Sequence, residues 1–385
     1  MTEDWQQGGF GLYVHWPFCE AKCPYCDFNS HVVQNIDQSA WVKAYIRELD
    51  RIAAELSQRT LNTVFFGGGT PSLMHPDTVA SILDHVKTLW PMANDPEITL
   101  EANPGSVEAG KFRGFRDAGV NRISMGIQAL NDEDLKRLGR IHTVADAMGA
   151  FDIARSCFDR VSFDLIYARQ NQTVAAWEAE LKQALTMAVD HLSLYQLTIE
   201  DGTAFGDRYR IGKLRGLPDE DQSADMFALT QDICSDAGFL NYEVSNHARP
   251  GAESRHNLIY WRYGDYAGIG PGAHGRITVD GKRYATEALR APGAWLAAVE
   301  TGTAEHVREA IPRQDQAVEY LLMGLRVRDG ITRARYEALA GHPLDHATIE
   351  ELCDLGMINA TETHICVSDQ GLMVLNSVIT ELSGA

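Results

Sequence analysis

Basic residues are scarce in this chain: 34 Lys and Arg stand against 53 Asp and Glu, for a formal net charge of -19. A surface of that sign repels a phosphate backbone, leaves no footprint for nucleic acid, and carries no basic patch for an anionic membrane. No apolar run approaches the roughly 20 residues that a membrane-spanning helix needs. The opening Met-Thr-Glu-Asp-Trp-Gln-Gln has neither the basic start and apolar stretch of a secretory signal nor an arginine-rich transit character, so a cytoplasmic location is expected. Low-complexity tracts are missing as well. With 45% hydrophobic and 23% charged residues over 385 positions, the composition is that of a folded protein large enough for two domains. Cysteine is sparse at seven residues, and Cys157, Cys234, Cys353 and Cys366 are scattered, which argues against a disulfide framework and for a reducing compartment.

The remaining three cysteines form one loop, Cys19-Glu-Ala-Lys-Cys23-Pro-Tyr-Cys26, directly behind the expected strand Gly11–Trp16. Three thiols at that spacing can hold a metal. A 4Fe-4S cluster normally takes four thiolates, so three close cysteines with no fourth nearby would leave one iron open to a small molecule. A structural zinc would need a further Cys or His to close its tetrahedron, and His15 on the preceding strand is poorly placed for that. Zinc, a cluster and unliganded core cysteines all remain open from spacing alone.

Along the chain, expected strands alternate with helices. Trp41, Tyr45, Leu49, Ile52 and Leu56 recur at helical spacing; Thr63–Phe66 then reads as a buried strand running into Gly67-Gly68-Gly69-Thr70-Pro71. That glycine run is either a tight turn or a place where backbone approaches a ligand. Helices from Pro76 and from a Ser106 cap, the strands Glu97–Glu101, Arg122–Met125 and Val161–Ile166, helices from Asp132, Thr143 and Thr173, and the strand His191–Thr198 complete six strands. Strand-helix-strand units of this length imply parallel pairing, in a barrel or a doubly wound sheet, with ligands at the carboxyl ends. Cys19, Cys23, Cys26, Gly68, Gly69, Glu101, Gln128, Asp164 and Thr198 fall at or beyond those ends. The expected division is a core over 1–245, a connecting segment over 246–310 containing the glycine-rich stretch Gly264–Gly275, and a C-terminal domain over 311–385. The last reads as helix, helix, hairpin, helix, which is winged-helix-like; without a basic face it is not expected to read DNA.

The cysteine loop, with Tyr25 before its last cysteine, resembles that of the radical S-adenosylmethionine (SAM) superfamily, and the match over residues 11–275 is nearest to the HemN/HemW family of anaerobic porphyrin metabolism. The resemblance implies an α/β fold, a partial (βα)6 barrel with a smaller C-terminal α+β domain, and a 4Fe-4S cluster on Cys19, Cys23 and Cys26. Within that family SAM chelates the open iron, and an electron from the cluster cleaves it to a 5'-deoxyadenosyl radical. It also implies that Tyr13, Tyr25, Gly68, Gly69, Thr70, Glu101, Gln128, Arg140, Asp164 and Thr198 form the SAM and substrate cavity. His256-Asn257-Leu-Ile-Tyr260-Trp261 resembles the family's HNxxYW motif, associated there with heme binding. One branch of the family, a coproporphyrinogen III dehydrogenase, has a further cysteine where this chain has Phe28, and a longer N-terminal arm. The other branch is a heme chaperone, and this chain resembles it more. Heme as cargo, heme-accepting proteins and an electron donor are the partners so implied, and a homodimer is admitted. One departure stands out: after Asp164-Leu-Ile-Tyr the family usually has Gly-Leu-Pro, whereas this chain has Ala168-Arg169-Gln170.

Overall fold

The structure, a computed structural model, describes residues 3–33, 35–106 and 109–384. Its frame is a twelve-stranded sheet. Six strands adjoin in chain order: β1 (Phe10–Trp16), β2 (Leu61–Gly68), β3 (Met92–Ala102), β4 (Arg122–Gln128), β5 (Arg160–Tyr167) and β6 (His191–Gln196). Their pairings are parallel throughout. Helices Gln38–Leu56, Pro76–Leu89, Ala109–Ala118, Val144–Cys157 and Val174–Met187 make the main crossovers. The first shows why the sequence folds this way. Asp37 accepts from the backbone N–H groups of Ser39 and Ala40 and so starts the helix, while Trp41, Tyr45, Leu49, Ile52 and Leu56 are buried along one face. A capping box of Thr143 and Asp146 starts the fourth crossover helix in the same way. Of the helix expected from Ser106, Ala109–Ala118 is described; Ser106 itself closes a short 3-10 turn from Pro104, and residues 107–108 lie outside the described ones.

Both edges of the sheet continue. Beyond β6 lie β7 (Leu240–Asn241), outermost, and β8 (Asn246–Ala248), antiparallel to β6. On the far side of β1 runs β9 (Asp265–Ile269), parallel to it, with Phe10 opposite Asp265 and Val14 opposite Ile269. It is followed by the antiparallel β10 (His274–Val279), β11 (Lys282–Ala288) and β12 (Glu305–Ala310). Residues 246–310, expected as a connector, therefore contribute β8 to β12 of the main sheet. The glycines that suggested a linker serve close packing, since a Cβ on Gly270 would strike the His15 carbonyl and one on Gly268 the His274 carbonyl. The strand order does not return on itself, yet side chains from β1 through β6 line one cavity, so the sheet curls into a partial barrel.

The C-terminal residues form helices Arg313–Gly324, Arg333–Ala340 and His346–Asp354, a three-stranded sheet of Ile331–Thr332, His364–Val367 and Ile358–Ala360, and the closing helices Asp369–Leu372 and Leu375–Ser383. The single closing helix expected after the hairpin comes in these two pieces. This part has its own core, with Leu321, Ile331, Ile365 and Val378 at its centre. It is fastened to the amino end of the barrel. Arg335 grips the Asp4 carboxylate at 2.7 and 2.8 Å and donates to the Arg262 carbonyl at 2.8 Å. Glu319 accepts from Tyr263 Oη at 2.9 Å and from Arg276 Nη2 at 2.9 Å.

Candidate functional site

The cysteine loop leaves the carboxyl end of β1 and returns as a two-residue parallel pairing of Phe18 and Cys19 with His31 and Val32. The glycine run behind β2 is locked to it. Gly69 N–H donates to Trp16 O at 2.7 Å and Thr70 N–H to Phe18 O at 2.8 Å, while Thr70 Oγ1 lies 3.5 Å from Cys19 Sγ. A Cβ on Gly69 would come within 2.6 Å of Phe18 O, and one on Gly68 (φ +110) within 2.5 Å of the His15 ring. Close approach is thus what these glycines provide, with the neighbouring cysteine loop as the surface approached. Across the loop, Arg140 Nη1 donates to Cys23 Sγ at 3.4 Å and its Nη2 to Gly126 O at 3.0 Å. Burial pushes the Cys19 and Cys26 thiols up. Among the described residues no three His, Cys, Asp or Glu side chains converge as a single ion requires. Ligands of a four-iron cluster bind separate irons and need not meet at a point. Three half-buried thiols on one loop, with a guanidinium beside one of them, fit such a cluster better than they fit zinc.

Inside the barrel lies a cavity of about 200 Å³. Tyr13, Glu101 and Asp164 are among its lining residues. Glu101 accepts from Gly68 N–H at 3.1 Å; burial, and then the facing Asp164 carboxyl, push its pKa up to about 8. Burial likewise raises Asp164 to about 6, although Ser193, Arg122 and Ser124 favour its charged form. Two acids held partly protonated by desolvation and mutual repulsion suit a cationic guest, whose charge would release their protons. Thr70, Gln128, Arg140 and Thr198 do not line this cavity. Thr70 and Arg140 pack against the cluster loop, Tyr25 leans on Phe205 with ring centroids 6.4 Å apart, and Thr198 lies past the end of β6. Gln128 ends β4 with φ 75 beside a register shift, a strained backbone at the rim.

Arg122, Ser124, His191, Ser193 and Asn246 also line the cavity and were not anticipated. A signal existed. In β4, Arg122, Ser124, Gly126 and Gln128 alternate strictly with Ile123, Met125 and Ile127, and polar residues at period two in a sheet covered by helices point inward.

The HNxxYW residues stand at the opposite end from the cysteines. They form helix Arg255–Trp261, which precedes β9 and stops the amino end of the barrel. His256 is 1% exposed. Its Nδ1 meets Thr63 Oγ1 at 2.7 Å, its Nε2 meets Tyr260 Oη at 2.6 Å, and its ring stacks on Phe65 at 5.0 Å between centroids. Its backbone N–H donates to Glu97 Oε1 at 3.0 Å. Burial alone would raise Glu97, but Arg122, Arg160 and the N–H groups of His256 and Arg255 outweigh it and hold the carboxylate low. Burial depresses His256 to about 3, so it is a neutral ring with both nitrogens committed. In this arrangement His256 could meet a heme iron only by giving up its hydrogen bond to Thr63 or to Tyr260. Asn257 and Tyr260 face the cavity with Tyr13, and Trp261 lies outside its lining.

A parallel half-barrel, a three-thiol loop at its mouth and an acid-lined interior define a radical SAM architecture, and residues 13–184 match the Radical SAM superfamily while residues 311–374 match the HemN C-terminal domain. Heme chaperone HemW of Escherichia coli (strain K12) is 37% identical over 373 residues, covering 96% of each chain. Radical S-adenosyl methionine domain-containing protein 1, mitochondrial, of Bos taurus is 38% identical over 383 residues, covering 96% of this chain and 86% of that one. The chain belongs to the HemN/HemW family of the radical SAM superfamily. Its fold is that of the solved coproporphyrinogen III oxidase HemN from Escherichia coli, with a TM-score of 0.81 at 22% identity over 97% of this chain and 90% of that one. Membership implies a 4Fe-4S cluster and SAM, and supports a heme chaperone or HemN-like radical SAM function. No helix among the described residues is long and apolar enough to cross a membrane.

Proposed function

We propose that this chain is a cytoplasmic heme chaperone that receives heme and passes it to acceptor proteins, carrying a 4Fe-4S cluster on Cys19, Cys23 and Cys26 and SAM beside it. The observation that carries this reading is the 37% identity to heme chaperone HemW along 96% of both chains. Phe28, standing where the dehydrogenase branch has a further cysteine, supports it. When bound, the cluster and SAM would supply one-electron chemistry or a ligand-sensitive gate. The chain's own residues do the rest: Arg140 offsets thiolate charge at Cys23, Glu101 and Asp164 hold a cationic group, and Tyr13, Gly68, Gly69, Thr70, Gln128 and Thr198 shape the mouth. An electron donor and a homodimer belong to the same proposal.

The second reading is an oxygen-independent coproporphyrinogen III dehydrogenase, which the intact cysteine loop and acid-lined cavity favour. Against it stands the cavity, about 200 Å³, below the ~300–1,000 Å³ of ordinary small-molecule pockets. A paired anaerobic assay separates the two. Hemin should give a stable Soret-absorbing complex, and coproporphyrinogen III with SAM should give no protoporphyrinogen. Turnover together with indifference to hemin would reverse the choice.

A further inference from the structure

We propose that the electron donor docks on the basic turn Arg208–Arg215, and that it is a small acidic one-electron carrier protein; the assignment rests on the cluster-bearing reading above. Composition conceals this patch. The chain is short of cations as a whole, yet Arg208, Arg210, Lys213 and Arg215 stand within eight positions, and Asp207 is the one carboxylate between residues 202 and 218. All four cations are exposed. Arg210 meets Asp207 at 3.2 Å, while Arg208, Lys213 and Arg215 make no ion pair among the described residues. A helix C-terminus attracts cations, which accounts for Arg208 and Arg210 in the last turn of helix Ala204–Arg210 but not for Lys213 and Arg215 beyond it.

The turn is held as one piece and tied to the cysteines. Lys213 N–H and Leu214 N–H both donate to Arg208 O, at 2.8 and 3.2 Å, Gly212 N–H donates to Tyr209 O at 2.9 Å, and Gln170 Nε2 donates to Arg215 O at 2.7 Å. Leu214 is buried in an apolar cluster with Phe205, Leu135 and Leu138, against which Tyr25 also packs. Phe205 N–H donates to Pro24 O at 2.8 Å, and Pro24 and Tyr25 are the residues between Cys23 and Cys26. At ~1.5 Å per residue the seven-residue helix is about 10 Å long, so a carrier resting on the turn stands one short helix away from that loop. Between the cations Tyr209 is 59% exposed and Ile211 62%. Apolar contact with charge to orient it is the make-up of a small transient interface, the kind electron carriers form. The remaining surface selects the same approach, since a chain of net charge -19 repels an acidic protein over most of its face. An anionic membrane fits less well, because the helix bearing the first two cations ends at Arg210 and no longer amphipathic helix carries the rest. One electron passes: the carrier is oxidised by one, the cluster is reduced by one, and no bond breaks.

The test is anaerobic stopped-flow reduction of the full-length, cluster-loaded protein by an acidic flavodoxin, whose hydroquinone becomes the semiquinone, with photoreduced deazaflavin as a small reductant that needs no docking. Arg208→Glu with Lys213→Glu should slow reduction by flavodoxin at least tenfold at low salt, and the gap to wild type should narrow as salt rises. Ile211→Asn, which leaves the charge alone, should slow it about threefold. Arg113→Glu with Arg116→Glu, an equal change of charge at exposed positions of another helix, should alter it less than about twofold. NMR line broadening of oxidised flavodoxin, which needs no electron transfer, should be lost with the first pair and kept with the second. Deazaflavin reduction, cluster content and circular dichroism of every variant should match wild type. Equal slowing by the two pairs, or none by the first, overturns the docking site; none by the first together with lost binding to phosphatidylglycerol vesicles would make the turn a membrane contact instead. The chaperone reading survives each of those results and falls to a hemin titration in which wild type takes up no heme. A wild-type cluster that neither reductant reduces overturns the cluster-bearing reading and the docking site together.

Discussion

Replacing Glu101 by glutamine should stabilise the ligand-free protein at pH 8 and barely change it at pH 5. Burial, with the facing Asp164, pushes this carboxyl up to about 8 from its ordinary 4.5. Between those values the native state holds a proton that the unfolded chain has lost, so stability falls as pH rises through that window. At ~1.36 kcal/mol per pH unit the cost is about 1 kcal/mol at pH 5 and about 4 kcal/mol at pH 8. Part of the pH 8 figure comes from repulsion by Asp164, which relaxes by taking up its own proton, and about 2 kcal/mol is the expected gain from the substitution. Glutamine stays neutral and keeps a carbonyl oxygen for Gly68 N–H. Over 385 residues, an unfolding entropy of about 2.1 cal/mol/K per residue converts that gain into a Tm rise of about 2–3 °C at pH 8. Thermal unfolding of both proteins by circular dichroism at pH 5, 6.5 and 8 gives the answer. An equal shift at every pH, or a loss at pH 8, would mean that Glu101 is ionised in the native state and that the repulsion argument is wrong. Under the proposed function the same variant binds SAM more weakly, so stability and affinity move in opposite directions.

Serine at Cys19, Cys23 or Cys26 should abolish iron and sulfide retention after anaerobic reconstitution, while Cys157→Ser, a buried thiol of a crossover helix, should retain both. Gly69→Ala should cost about 1–3 kcal/mol and loosen the cluster, because the new methyl meets Phe18 O; chemical denaturation and iron content report the two effects. Arg169 is buried and joins Ile166 O, Asp134 and Glu180, at 2.5, 3.1 and 2.5 Å. Arg169→Met should destabilise by about 1–3 kcal/mol in urea unfolding, since Glu180 loses its cation and keeps only the Leu130 N–H and the Gln172 amide, whereas Asp134 retains Arg137; a loss under about 0.5 kcal/mol would show Glu180 solvated.

The six-strand frame could be read from the sequence because each strand is a short apolar run bounded by helical spacing, and the cysteine loop because its spacing is local. Strands β9 to β12 could not, since Gly264, Gly268 and Gly270 look like a linker until one sees which carbonyls they let approach. Arg122, Ser124 and Ser193 are legible by alternation, although they stand before the strand ends at which ligands are expected. The surroundings of His256 were not legible for a different reason: its partner Thr63 lies 193 positions away. The unusual Ala168-Arg169-Gln170 was noticed, but not its consequence. Ala168 takes φ 57, where a glycine would be at ease, and Arg169 turns inward to staple the strand end to two helices.

The stopper at the amino end makes the barrel a blind alley. Helix Arg255–Trp261 plugs it, and Arg335 and Glu319 bolt the C-terminal domain across the segment that follows. What enters past the cysteine loop meets a closed floor, so a molecule lodged near Arg122 and His191 would lie beneath whatever settles at that loop, and a guest at the cysteine end would slow its departure.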